Sequence, residues 1–140
     1  MKFLQKLCWC LLLPLSMSLS AAEVVVHAAV TEQQLSRAQL RAIFSMRQSR
    51  WPDGTVIRVF VLASDHPTHI NFSRQQLQMF PYQLDTIWNR QRFSGIGSFP
   101  TQLLSEEEMQ LALQQTPGAI GYLSVGTIPN TLQVITPYEN

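Results

Sequence analysis

Residues 56–62 read Val-Ile-Arg-Val-Phe-Val-Leu, apolar at every position but Arg58. A strand with one wet face alternates polar and apolar side chains, so an almost unbroken run predicts a strand covered on both faces, as in a parallel sheet. Such a strand needs helices to cover it, and the flanking sequence supplies them. Ser36 with Gln39 is a capping-box pair, in which the hydroxyl accepts from a first-turn N–H and the amide reaches back. Leu40, Ile43 and Phe44 then fall at helical spacing, which predicts an amphipathic helix over residues 37–47. Pro67 suits the first turn of a helix running to Phe80, where Pro81 ends it. Leu84, Ile87 and Trp88 give a further helical face up to Arg92. Ser105 with Glu108 repeats the capping-box spacing ahead of a helix over residues 106–115, with Met109, Ala112 and Leu113 as its buried stripe.

Further apolar runs at residues 24–30, 119–125 and 132–135 read as strands. Pro52-Asp53-Gly54, Gly95-Ile96-Gly97 with Pro100, and Thr116-Pro117-Gly118 are turn and loop signals between the elements. Strands alternating with helices predict an α/β fold, a central mixed or parallel sheet flanked by helices. The length of 140 residues fits one domain.

The N-terminus reads as a secretory leader over residues 1–22. Lys2 and Lys6 form a positive start, residues 7–19 an apolar stretch, and Ser20-Ala21-Ala22 a small-residue cleavage signal before Glu23. The apolar stretch is shorter than the roughly 20 residues of a spanning helix, so no membrane span is expected once the leader is removed. Cleavage there predicts a periplasmic domain over residues 23–140. Both cysteines, Cys8 and Cys10, leave with the leader, so a hydrophobic core must hold the domain without disulfides. Both lysines leave too, and the ten basic residues fall to eight arginines against nine acidic groups. That balance provides no broad basic field for nucleic acid.

The segment Ala63-Ser64-Asp65-His66-Pro67-Thr68-His69 carries the most chemistry. It follows the buried strand and opens a helix, and α/β proteins place ligands outside the carboxyl ends of their strands. Free first-turn N–H groups there favour anions, and Ser64, His66, Thr68 and His69 are the candidate donors. Two bland readings stand beside this one: Ser64 or Asp65 as a helix cap, and His66 and His69 as surface histidines. The H-x-x-H spacing also raises a metal site, but two histidines fall short of the three or four ligands zinc uses. Neither metal nor cofactor is expected. Glu106-Glu107-Glu108 reads as a solvated charge run stabilised by the dipole of its helix. Gly95-Ile96-Gly97 lacks the third glycine of a dinucleotide fingerprint, and no G-x-S-x-G frame occurs. Nothing in the residues demands an enzyme.

Leu40-Arg41-Ala42-Ile43-Phe44, Trp51-Pro52-Asp53-Gly54, the strand through Leu62, Phe72, Trp88 and Thr116-Pro117-Gly118-Ala119-Ile120-Gly121-Tyr122-Leu123 occur in one order. That order resembles the second lobe of the periplasmic phosphate-binding proteins of ABC transporters, the PstS-like group, over roughly residues 24–125. The resemblance implies a single, non-enzymatic binding-protein lobe and places phosphate or a similar oxyanion at residues 63–69. Thr68 matches the family's threonine there. Leu62, His66 and Pro67 stand where the family has its arginine, serine and glycine. The resemblance also leaves open an interaction module that kept the fold and lost the ligand, contacting a periplasmic or inner-membrane protein or a second copy of itself.

Overall fold

The computed structural model describes residues 21–139; the leader read over residues 1–22 lies outside them except for Ala21 and Ala22. The elements in chain order are β1 (Ala22–His27), β2 (Gln34–Ser36), α1 (Arg37–Phe44), β3 (Arg58–Leu62), α2 (Pro67–Phe72), a π-helical turn (Ser73–Leu77), α3 (Pro81–Ser94), β4 (Thr101–Leu103), α4 (Glu106–Gln115), β5 (Ala119–Ser124) and β6 (Leu132–Tyr138). The strands form one six-stranded sheet in the order β2-β6-β1-β5-β3-β4. β3 runs parallel to both β5 and β4, as its unbroken apolar sequence predicts, whereas β1 lies antiparallel between β5 and β6. The sheet is therefore mixed.

Successive strand residues face opposite sides, and β5 shows what covers each. Gly121 faces α4, where an added Cβ would lie 2.6 Å from Met109 Sδ and 3.3 Å from Leu113. Tyr122 faces the other layer and stacks on Phe72 of α2, ring centroids 4.0 Å apart, with Phe44 of α1 beyond it. Trp88 of α3 ties this layer together by donating its indole N–H to the Phe44 carbonyl at 2.8 Å. So α4 covers one face of the sheet and α1, α2 and α3 cover the other.

Local sequence signals hold at most helix starts. Ser36 and Gln39 form the complete capping box. At α4 the Ser105 hydroxyl accepts from the Glu108 N–H as expected, but the Glu108 carboxylate reaches one residue further back, to Leu104 N–H. The helix expected over residues 67–80 does not run through. It leaves α geometry at Phe72, and Gln78 adopts a left-handed backbone with φ of 52°. Arginine contacts from α1 explain the break. Arg37 donates to the carbonyls of Gln75 and Gln76, and Arg41 Nε donates to Leu77 O at 2.7 Å. These carbonyls would otherwise need the next helical turn. The edge strands β2 and β4 have three residues each, too short to show a pattern in sequence.

Gly118 follows α4 with φ of +79°, and an added Cβ there would sit 2.3 Å from the Val56 carbonyl oxygen. Its own carbonyl accepts the buried Trp51 indole N–H at 3.0 Å, which connects the Pro52-Asp53-Gly54 turn to the start of β5. Gly118→Ala must therefore move backbone, while Gly121→Ala presses on flexible side chains. We expect Gly118→Ala to cost about 2 to 4 kcal/mol and Gly121→Ala about 1 to 3 kcal/mol in urea unfolding.

Candidate functional site

The carboxyl ends of β3 and β5 lie side by side because the two strands are parallel neighbours. The loop after β3 carries Ser64 and His66, α2 carries Thr68 and His69, and β5 ends at Ser124. The Ser64 hydroxyl donates to Asp85 of α3 at 2.6 Å. His66 caps α2: its Nδ1 accepts the Thr68 N–H at 3.1 Å. That acceptor role puts the proton of a neutral His66 on Nε2.

Thr68 is buried, and its hydroxyl lies 3.2 Å from that of Ser124. The Ser124 hydroxyl is also 2.7 Å from both carboxylate oxygens of Glu106, the first residue of α4. A carboxylate only accepts, so Ser124 O–H donates to Glu106 and Thr68 O–H donates to Ser124. The Ser124 backbone N–H adds a further bond to Glu106 Oε1 at 2.6 Å. A relay of donors from α2 and β5 thus converges on one carboxylate, at the start of α4.

His69 is placed differently from the expectation that made it a donor to an anion. Its residue is 0% exposed, enclosed beside Phe72, Trp88 and Tyr122. The periodicity of α2 turns it inward, three residues before Phe72. The Tyr122 hydroxyl accepts the Leu62 N–H at 2.7 Å and therefore gives its own proton to His69 Nδ1. Neutral His69 then carries its proton on Nε2, a buried atom with no hydrogen-bond partner among the described residues. Burial pushes the imidazole down to about 4, partly offset by the negative Asp85 and reinforced by His66. Burial also pushes the Tyr122 phenol up, so that it stays a protonated donor.

His66 and His69 therefore occupy different surroundings, one at a helix cap and one in the core. Among the described residues, no three His, Cys, Asp or Glu side chains gather as a metal-holding group, and no helix is long and apolar enough to cross a membrane. Glu106, Ser124 and Asp85 belong to the cluster although sequence reading does not single them out for it. Ser124 had a usable signal, its place at the carboxyl end of a strand beside β3. Glu106 had none, because its role depends on where α4 crosses the sheet.

No family model matches the sequence, and no curated protein matches it. Among solved structures, the chain is similar to an ABC-type phosphate transport receptor from Vibrio cholerae, with 16% identity and a TM-score of 0.63 over 84% of this chain and 46% of that one. It is similar also to PstS from Borrelia burgdorferi, with 14% identity and a TM-score of 0.63 over 86% of this chain and 49% of that one. The chain thus spans just under half the length of these proteins. At such identities the likeness shows the fold: this mixed α/β unit is built like one lobe of a phosphate receptor, as the ordered sequence segments imply.

The sign of the His69 shift sets a pH dependence. The unfolded imidazole titrates near 6.5 and the folded one near 4, so acid protonates the unfolded chain first. Stability is fully present above pH 6.5 and is lost as the pH falls toward 4. Urea midpoints should fall between about pH 7.5 and about pH 5 by the equivalent of about 2 kcal/mol, and His69→Gln should flatten that slope.

Proposed function

We propose that the chain is an exported, non-enzymatic solute-binding lobe that takes phosphate or a similar small oxyanion at the carboxyl edge of its sheet. In this reading it works as a substrate-binding component of the phosphate ABC transporter type, in the periplasm. The observation that supports the reading is the Thr68–Ser124–Glu106 relay. Its donors already hold an oxyanion, namely the Glu106 carboxylate. A phosphate oxygen accepts from the same N–H and O–H groups. His66, protonated on Nε2, completes the proposed donor set; the Ser64 hydroxyl is committed to Asp85, and buried His69 positions Tyr122, so both lie outside it.

Glu106 is then the internal competitor of the ligand. A bound oxyanion must displace it or accept beside it, and two negative groups at hydrogen-bond distance repel. Calorimetry with phosphate at about pH 6 and about pH 8 should show weak, millimolar binding by the unaltered chain, and about tenfold tighter binding by Glu106→Ala. Absence of heat from both proteins at about 10 mM phosphate would overturn the ligand-binding reading.

A second reading, a periplasmic interaction module that kept the fold without the ligand, is favoured by a different feature. Phe93, Ile96 and Leu104 are 90%, 78% and 83% exposed, and half-exposed Phe99 lies between them in sequence. Apolar residues this bare stand in the segments on either side of the edge strand β4, and a large exposed apolar patch marks an interaction surface. Sedimentation velocity should then show self-association that Phe93→Ser with Ile96→Ser abolishes, or a defined envelope partner should be lost with the same pair. A monomeric chain whose phosphate affinity survives the pair would exclude this reading.

A further inference from the structure

Two helices and the segments that follow α1 and the π-helical turn line a hollow that shares no residue with the carboxyl-edge cluster. It lies between the end of α1, the residues after the π-helical turn and one side of α3, has a volume of about 320 Å³, and is lined by Arg41, Ser45, Arg47, Met79, Ile87, Arg90 and Gln91. That volume falls at the small end of the range for ligand sites, roughly 300 to 1,000 Å³. Three of the eight arginines outside the leader line it, and no acidic residue does.

The arginines lack the partners that surface arginines commonly find. Among the described residues the one ion pair joins Arg37, at the start of α1, to Glu139, and neither residue lines the hollow. Arg41 and Arg47 are each held through Nε, by Leu77 O at 2.7 Å and by Ser45 Oγ at 3.0 Å. Bonds of that kind fix a guanidinium plane without consuming its two terminal nitrogens, and a terminal pair can grip a carboxylate or phosphate in bidentate fashion. Arg90 is exposed and has no hydrogen-bonding or ion-pairing partner among the described residues. Met79 and Ile87 supply an apolar wall beside these charges. Gln91 donates its amide to Ser45 O at 3.2 Å, but its buried Oε1 has no partner among the described residues.

We propose that this hollow is a binding site for a small free anion with an apolar body, such as an aryl or short-chain carboxylate or phosphate monoester. The anionic head would bridge Arg41, Arg47 and Arg90, and the body would lie on Met79 and Ile87. Inorganic phosphate lacks the body and a neutral alcohol lacks the head, so each meets only half of the lining. A lipid headgroup shares the chemistry, but the small volume favours a free molecule over one anchored in a bilayer.

Phenyl phosphate, inorganic phosphate and benzyl alcohol, titrated separately into the isotope-labelled domain and followed by amide and methyl resonances, test the site. Phenyl phosphate is expected to shift Ile87, Gln91 and Met79 and to bind at least about tenfold more tightly than either control. Arg47→Gln with Arg90→Gln should weaken it by about tenfold or more with an unchanged thermal midpoint, since neither guanidinium supports a backbone carbonyl. Arg41→Gln is a poorer test, because Arg41 also caps Leu77. The proposal is overturned if phenyl phosphate shifts only residues 64–68 and Ser124, if the double variant binds unchanged, or if no shifts appear at about 10 mM. Binding only to phosphatidylglycerol vesicles, with none of free phenyl phosphate, would also overturn it. Absence of phosphate heat from both the unaltered chain and Glu106→Ala leaves these outcomes untouched, so the two sites can fail separately.

Discussion

The hydroxyl of Tyr122 accepts the N–H of Leu62 from the neighbouring strand and donates to His69 of the covering helix. One atom thus joins β5, β3 and α2 in the middle of the core. The ring below it stacks on Phe72, and Phe72 in turn meets Phe44 of α1. A buried hydroxyl is costly unless both its donor and acceptor capacities are used, and here they are. Fixing α2 over the end of β3 fixes Thr68, and with it the distance from Thr68 to Ser124. The edge cluster therefore inherits its geometry from a bond in the core.

That dependence gives the two sides of the sheet different roles. The aromatic layer with α1, α2 and α3 positions donors. The layer of α4 delivers the acceptor, because Gly121 lets the helix approach closely enough for Glu106 at its first turn to reach Ser124. A phosphate-receptor lobe and this chain share the architecture that brings strand ends and helix starts together. In this chain a carboxylate of its own occupies the resulting donors. The arginine-lined hollow stands apart from that arrangement. It uses the C-terminal end of α1 and one side of α3, beside the left-handed residues Met46 and Gln78.

Much of the scaffold was legible residue by residue. The unbroken apolar run before Ala63 predicts a strand buried on two sides, and β3 is parallel to both neighbours for that reason. Ser36 with Gln39 and Ser105 with Glu108 mark helix starts within a residue, because capping is decided over four positions. Pro117-Gly118 marks the turn into β5, where a positive φ and a close carbonyl leave room for glycine alone. The helix expected through residues 73–80 was not legible as a break. Its carbonyls are satisfied by Arg37 and Arg41, some forty residues away in sequence.

Sequence alone was enough for the properties that depend on neighbours along the chain: strand and helix identity, caps, turns, a core without cysteines among the described residues, and a segment at residues 63–69 rich in donors. Tertiary structure decided which of those donors face one another. His69 belongs to the core because a helical turn points it at Tyr122, and Glu106 belongs to the site because α4 crosses the sheet beside Ser124. Hydrogen bonds are short and directional, so partners eighteen or fifty-three residues apart are invisible until the layers have packed.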